Sequence, residues 1–200
     1  MQLRYSYLLP TTPQSRCTVV YRVAASGRIE VTIGLEPGEG LPDLPEFGML
    51  FTAPAELAHL TWYGEGPDES YVDRRAGARL GVYSGSVANQ LTPYVRPQEA
   101  GNHAGVRWAS VTDDRGLGLR FECAADGGME FSALPWTPFE IENARHPNEL
   151  PPIHSTVLRP ALMRRGVAGD DSWGAMPLEK YLLPHGELTF RFAFQGVLLN

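Results

Sequence analysis

Residues 17–24 (CTVVYRVA), the pair Ser26-Gly27 and residues 28–35 (RIEVTIGL) decide the fold class of this chain. Both runs are rich in β-branched residues, and a serine–glycine pair between two such runs is typical of a hairpin turn. In the second run apolar side chains alternate with Glu30 and Thr32, which predicts a strand with one buried face. The stretch therefore predicts an antiparallel β-hairpin.

The same pattern recurs on either side of this hairpin. Residues 3–9 are predicted to form a further strand, and two more hairpins are predicted, each around a glycine-containing turn. The two hairpins pair residues 106–111 with 117–123, and residues 178–183 with 187–195. Short strands joined by turns indicate an all-β, antiparallel sandwich.

A single short helix is predicted after Thr137. Threonine at the N-cap, Pro138 in the first turn and Glu140 three residues on form a capping-box pattern, and Pro147 sets the end of the helix.

Composition narrows the functional classes. The 200 residues, 43% of them hydrophobic, suit one domain spanning residues 1–200. A net charge of −6 argues against nucleic acid as a partner. No apolar run approaches the roughly 20 residues that cross a bilayer, so no membrane partner is predicted. Cys17 and Cys123 are predicted to be reduced, and a cytoplasmic location follows.

Residues 62–74 (WYGEGPDESYVDR) form the first segment that could carry chemistry. The faces of Trp62 and Tyr63 could stack on a sugar ring, with Asp73 and Arg74 bonding its hydroxyls. The favoured alternative is a packed loop in which Asp73 and Arg74 are structural.

Glu99 and His103 form the second candidate, with Arg107 close by in sequence. The carboxylate and the imidazole would be a general acid–base pair if both faced one cleft. Hydrogen bonding that fixes an irregular, proline-rich stretch is the simpler interpretation.

Residues 169–174 (GDDSWG) are the sharpest local signal. Glycines bracket Asp170, Asp171, Ser172 and Trp173, so a tight exposed turn could place the indole against a pyranose ring. The alternative is an Asx-turn whose tryptophan folds onto the core. Neither these aspartates nor the histidines have the spacing of a calcium or zinc site, so no metal is predicted.

Taken together, these segments resemble the C-terminal, small-chain domain of β-galactosidases of glycoside hydrolase family two. The resemblance runs from about residue 28 to the C-terminus, and the order and spacing of its segments make it specific. The matching residues are Trp62-Tyr63-Gly64, Gly66-Pro67, Glu69, Tyr71, Asp73-Arg74, Thr92-Pro93-Tyr94-Val95, Pro97-Gln98-Glu99 and Gly169-Asp170-Asp171-Ser172-Trp173.

The resemblance implies an antiparallel supersandwich of the galactose mutarotase type. It also implies that Trp173, with Asp170, Asp171 and Ser172, contacts a galactoside such as lactose. The two catalytic glutamates of the family lie in a separate barrel, so this chain alone is expected to be inactive. A retaining glycosidase needs two carboxyl groups about 5–5.5 Å apart.

The expected partners are therefore that barrel, the other domains of the full enzyme and further copies in a homo-oligomer. The resemblance implies no cofactor in this chain, with Mg and Na held in other domains of the full enzyme.

Three positions depart from the family pattern, and the last two of those named below bear on the pose of the Trp173 loop. The family usually has arginine at Glu46, an acidic residue near Ala161 and glycine at Ala168. The first strands of the family domain also have no counterpart here.

Three alternatives to a galactosidase part stay open. The first is a stand-alone mutarotase-like aldose epimerase, which would use His103 with Glu99 or Asp171. The second is a carbohydrate-binding module, and the third is an assembly domain that buries apolar surface against its neighbours.

Overall fold

A computed structural model describes residues 1–171 and 173–199. In this part of the chain, short strands dominate and one α-helix is present. The strands are β1 (Gln2–Leu9), β2 (Ser15–Val23), β3 (Ile29–Glu36), β4 (Glu46–Gly48), β5 (Phe51–Pro54), β6 (His59–Gly66), β7 (Arg79–Ser86), β8 (His103–Val106), β9 (Trp108–Thr112), β10 (Leu117–Glu122), β11 (Met129–Leu134), β12 (Ser155–Arg164) and β13 (Leu188–Leu198), and the helix is α1 (Pro138–Asn143).

The strands form two antiparallel sheets. The larger has the order β1-β2-β3-β13-β10-β9-β6-β7, and the smaller has the order β4-β12-β11-β8, with β5 also paired to β12. Phe121 of β10 and Phe131 of β11 are fully buried, and their ring centroids lie 5.4 Å apart. The two sheets therefore pack face to face, and the predicted all-β antiparallel sandwich with one short helix is confirmed.

The hairpin that decided the fold class is present. Strands β2 and β3 pair from Arg16↔Glu36 to Val23↔Ile29. Val31, Ile33 and Leu35 of β3 are buried in the core, whereas Glu30 is exposed. The alternation in the sequence thus matches the inner and outer faces of the larger sheet.

The predicted helix is also confirmed. Thr137 is its N-cap, the Thr137 hydroxyl accepts from the backbone N–H of Glu140 at 3.2 Å, and the Glu140 carboxylate accepts from the backbone N–H of Thr137 at 2.8 Å. No helix in residues 1–171 and 173–199 is long and apolar enough to span a bilayer.

The second predicted hairpin is confirmed, since β9 and β10 pair from Gly118↔Thr112 to Glu122↔Trp108. Its first strand begins later than predicted, because the chain leaves the smaller sheet after Val106 and enters the larger sheet at Trp108. The third predicted hairpin was wrong. Residues 178–183 do not pair with the last strand, since Glu179–Tyr181 is a 3₁₀ turn and β13 pairs instead with β3 and β10.

Candidate functional site

A cavity of about 520 Å³ opens where the end of β12 meets β4 and the irregular segment after β7. It is lined by Pro45, Glu46, Tyr71, Arg74, Tyr94, Gln98, Glu99, Pro138, Glu142, Arg159, residues 164–168 and residues 175–177. Its volume is in the range of small-molecule sites in proteins.

The floor of the cavity is a cluster of four charged side chains. Arg159 donates to Glu99 Oε2 at 2.9 Å and also pairs with Glu46. Arg164 donates through Nε to Glu46 Oε2 at 2.7 Å. The two arginine side chains are only 7% and 3% exposed, while those of Glu46 and Glu99 are 22% and 34% exposed. Carboxylates therefore face the cavity, with the guanidinium groups buried behind them.

Burial alone would raise the pKa of Glu46, but the charges of Arg164 and Arg159 and their hydrogen bonds outweigh it and hold that pKa below its usual value. Tyr71 is buried and donates its hydroxyl to Glu99 Oε1 at 3.2 Å. Burial, followed by the charge of Glu99, raises the pKa of Tyr71. Tyr71 therefore stays a neutral hydrogen-bond donor at the cavity floor.

A third carboxyl group, the half-buried Glu130, lies behind this floor. Asn102 bridges the cluster to Glu130, because its side-chain oxygen accepts from Arg164 and its amide donates to Glu130. Burial raises the pKa of Glu130 to about 7, although the hydrogen bond from Asn102 and the charge of Arg164 oppose the shift. The hydrogen-bonded network therefore extends from the cavity floor to Glu130.

The predicted tryptophan loop borders the cavity. The side chain of Asp171 accepts from the backbone N–H of Trp173 at 2.8 Å and of Ala175 at 3.1 Å, which makes an Asx-type turn. Trp173 is 92% exposed, so the alternative in which it folds onto the core is wrong. Asp170 is exposed beside it, and the predicted contact residue Ser172 lies outside the described residues. Ala175 and Met176, just after the indole, line the cavity wall.

The structure separates the predicted pair of Glu99 and His103. Glu99 bonds with Arg159 and Tyr71 at the cavity floor. His103 is 2% exposed, stacks on Trp62 with ring centroids 3.9 Å apart, and bonds through Nε2 to Gln90 Oε1 at 2.9 Å. Burial, followed by the charge of Arg164, lowers the pKa of His103 to about 4. Within the described chain these two side chains share no hydrogen bond, so the simpler interpretation of His103 as a packed core residue fits.

Two further predicted contacts take structural positions. Trp62 is 2% exposed, so its face is not open to a sugar. Arg107 is half-buried, bonds to the carbonyl of Gly105 and lies 6.0 Å from the centroid of the Tyr63 ring, outside the cavity lining.

Asp73 and Arg74 were expected to form structural ion pairs. Instead, Asp73 Oδ2 accepts from the backbone N–H of Ala168 at 2.8 Å, and Arg74 Nη2 donates to the Ala168 carbonyl at 3.2 Å. Their favoured structural role therefore holds, with a different partner.

Comparison with known proteins identifies the family. Residues 1–195 match the family model described as the β-galactosidase small chain. The chain belongs to this family. It is 44% identical over 167 residues to a β-galactosidase of Priestia megaterium (strain DSM 319 / IMG 1521), covering 84% of this chain and 16% of that protein. It is 39% identical over 200 residues to a β-galactosidase of Streptococcus thermophilus, covering 100% of this chain and 19% of that protein.

This small-chain domain also resembles shorter proteins. It is 38% identical over 181 residues to a β-galactosidase small subunit of Latilactobacillus sakei, covering 86% of this chain and 56% of that one. The chain thus spans under a fifth of the β-galactosidases above and about half of the small subunit. The solved structure of a galactose mutarotase related enzyme from Lactobacillus acidophilus has a TM-score of 0.42 at 10% identity, covering 98% of this chain and 68% of that one.

Two of the positions that depart from the family pattern lie on the paired strands β4 and β12. Glu46 is opposite Arg164, and Gly48 is opposite Ala161. Glu46, at the position where arginine was expected, pairs with Arg159 and Arg164.

Sequence reasoning missed Arg159 and Arg164 as members of the site. The available signal was their position in β12, whose burial pattern includes both arginines among apolar residues. A charged group in such a strand has to be paired. No spacing in the sequence indicates that its partners are Glu46 and Glu99, which lie 113 and 60 residues from Arg159.

Proposed function

We propose that this chain is the small-chain part of a β-galactosidase, and that its Trp173 loop and adjoining cavity contact the galactoside. In this proposal the bond-breaking carboxyl groups belong to a larger catalytic subunit or domain, with which the chain associates. The observation that supports it most is an indole that is 92% exposed, in a loop whose neighbouring residues Ala175 and Met176 line a charged cavity. Membership of the β-galactosidase small-chain family supports the substrate class.

The chemistry of the rim and floor suits a sugar. The flat face of an indole packs on the C–H face of a pyranose ring, and carboxylate oxygens accept hydrogen bonds from its hydroxyls. The Glu46 and Glu99 carboxylates face the cavity and are compensated by Arg159, so they can accept such bonds without leaving a bare buried charge. A neutral, hydroxyl-rich ligand fits this arrangement.

The same contacts suit binding better than bond cleavage. A retaining glycosidase needs one carboxyl group as an acid and another as a nucleophile. Glu46 is held ionised because its pKa is lowered, and it is hydrogen-bonded to Arg159 and Arg164. It is therefore a poor acid, which supports a separate source for the catalytic pair. A cytoplasmic location is part of the same proposal, since Cys17 and Cys123 are both free thiols.

The test is a pair of substitutions, Trp173→Ala and Trp173→Phe, in the assembled enzyme. Loss of a stacked ring is expected to raise KM for lactose by about 2- to 12-fold, from about 0.5–1.5 kcal/mol of stacking free energy. Phenylalanine should recover part of the loss, because it retains a flat apolar face.

Leu80→Ala is the matched control, since Leu80 is 52% exposed on the edge strand β7 and does not line the cavity. Unchanged KM and kcat in Trp173→Ala would refute the sugar contact. If the variant instead failed to associate with its catalytic partner in gel filtration, the loop would be an assembly surface.

A further inference from the structure

The loop that presents Trp173 is held at its base by two neighbouring side chains. Asp73 Oδ2 accepts from the backbone N–H of Ala168 at 2.8 Å, and Arg74 Nη2 donates to the carbonyl oxygen of Ala168 at 3.2 Å. The backbone C=O and N–H of Ala168 are thus hydrogen-bonded by Arg74 and Asp73, which lie 94 and 95 positions earlier in the chain.

The backbone at this point needs such support. Ala168 has a φ of 54°, in the left-handed region that is unfavourable for a residue with a side chain. Gly166, two residues earlier, lies so close to Asp73 that an added Cβ would be 2.5 Å from Asp73 Oδ2. Asp73 therefore fixes both the path and the hydrogen bonding of the chain entering the loop.

Arg74 extends the contact to the cavity wall. Its Nη1 donates to the hydroxyl of Tyr94 at 3.0 Å, and Tyr94 in turn donates to the carboxylate of Glu69. Tyr94 lines the cavity, as does Arg74 itself. The base of the loop is thereby tied to the cavity wall.

The tip of the loop has its own fixed turn. Asp171 accepts from the backbone N–H groups of both Trp173 and Ala175. Since the base and the tip are each held by side chains, the direction of the indole depends on how the base sits against the cavity.

We propose that Asp73 and Arg74 are positioning residues, whose effect on substrate binding acts through the pose that they give to Trp173. This inference rests on the proposed function, because the pose matters for binding only if Trp173 contacts the galactoside. It predicts that loss of either side chain weakens substrate binding through Trp173 and leaves the chemical step nearly unchanged.

The experiment is a double-mutant cycle in the assembled enzyme with Arg74→Ala, Trp173→Ala and both together. Arg74→Ala is expected to raise KM by about 2- to 5-fold, a part of the stacking effect, with kcat within about 2-fold. In the Trp173→Ala background the same substitution should change KM by less than about 1.5-fold. Arg75→Ala is the matched control, because Arg75 is the next residue and pairs with Glu65 rather than with the loop.

A KM effect of Arg74→Ala that persists in the Trp173→Ala background would overturn the positioning role. Amide exchange provides a readout that does not depend on substrate. Asp73→Asn should speed exchange of the Ala168 amide several-fold relative to wild type and to Arg75→Ala, because that amide loses its charged acceptor. Unchanged exchange of this amide in Asp73→Asn would refute the support of Ala168 by Asp73.

If Trp173→Ala left KM and kcat unchanged while Asp73→Asn sped exchange of the Ala168 amide, the sugar contact would be refuted and the support of Ala168 by Asp73 would stand.

Discussion

Replacing Glu46 with glutamine should destabilise the domain far more than the same change at a surface ion pair. Glu46 is bound by Arg159 and Arg164, whose side chains are 7% and 3% exposed. The substitution keeps the shape of the side chain and removes its charge. Two buried guanidinium groups would then share Glu99 as their acidic partner in the cluster, with Arg159 Nη1 at 2.9 Å and Arg164 Nη1 at 3.9 Å from it.

The expected loss is about 2–3 kcal/mol in the free energy of unfolding. Removing one partner of a fully buried ion pair costs about 3–5 kcal/mol. The loss for Glu46→Gln should fall below that range, because the Glu46 side chain is 22% exposed and the amide oxygen of glutamine can still accept a hydrogen bond. Glu36→Gln is the control, because Glu36 pairs with Arg16 at 3.9 Å and the two side chains are 63% and 59% exposed. Such an exposed pair contributes about 0–1 kcal/mol.

Urea unfolding at pH 7 measures both variants against wild type. The pH dependence gives a second check, because the pKa of Glu46 is lowered in the folded state. Its stabilising effect is complete above the unfolded-state pKa of about 4.3 and is lost as the pH falls through the lower folded-state value. The difference in the free energy of unfolding between wild type and Glu46→Gln should stay constant from pH 8 to about 5 and narrow below about pH 4. A loss at pH 7 no larger than that of Glu36→Gln would refute the role assigned to the buried cluster.

Two further predictions concern Ala168 and His103. Ala168→Gly should stabilise the domain by up to about 1 kcal/mol in urea unfolding, because φ is 54° at this residue and glycine adopts that angle without strain. The control is Ala76→Gly, at an exposed alanine outside the left-handed region, which should destabilise the domain slightly. A loss of stability in Ala168→Gly would contradict the reasoning. His103, whose pKa is lowered to about 4, should remain neutral from pH 8 to 5 in an NMR titration. Since its unfolded-state pKa is about 6.5, it should contribute a loss of stability as pH falls from about 6.5 to 4, which His103→Gln removes. An imidazole that titrates near pH 6.5 would restore the epimerase alternative.

The sequence predicted best those features that are local along the chain. The β2–β3 hairpin needs only two alternating runs and the turn at Ser26-Gly27, and its two strands lie where these runs predict them. The helix after Thr137 likewise depends on residues within one turn of each other. The exposed pose of the Trp173 loop could be set out as one of two alternatives, since glycines and aspartates define such a turn without reference to the rest of the fold.

Long-range pairing could not be obtained in the same way. Strand β13 pairs with β3, with Leu188 opposite Leu35, and an alternating pattern does not specify a partner so far away. The cavity floor has the same difficulty, because Glu46, Glu99 and Arg159 lie in three separate segments. No spacing in the sequence indicates that they meet, and only the sheet topology brings them together.

The central position of β13 has a consequence for synthesis of the chain. Strands β1–β3 form one side of the larger sheet and β10, β9, β6 and β7 form the other, and Leu188–Leu198 is the strand between them. Until those residues leave the ribosome, β3 and β10 each expose an unpaired edge, the kind that invites pairing with other nascent chains. Completion of the sheet therefore waits for synthesis of residues 188–198, and a translation stop before residue 188 would release two half-sheets prone to aggregate.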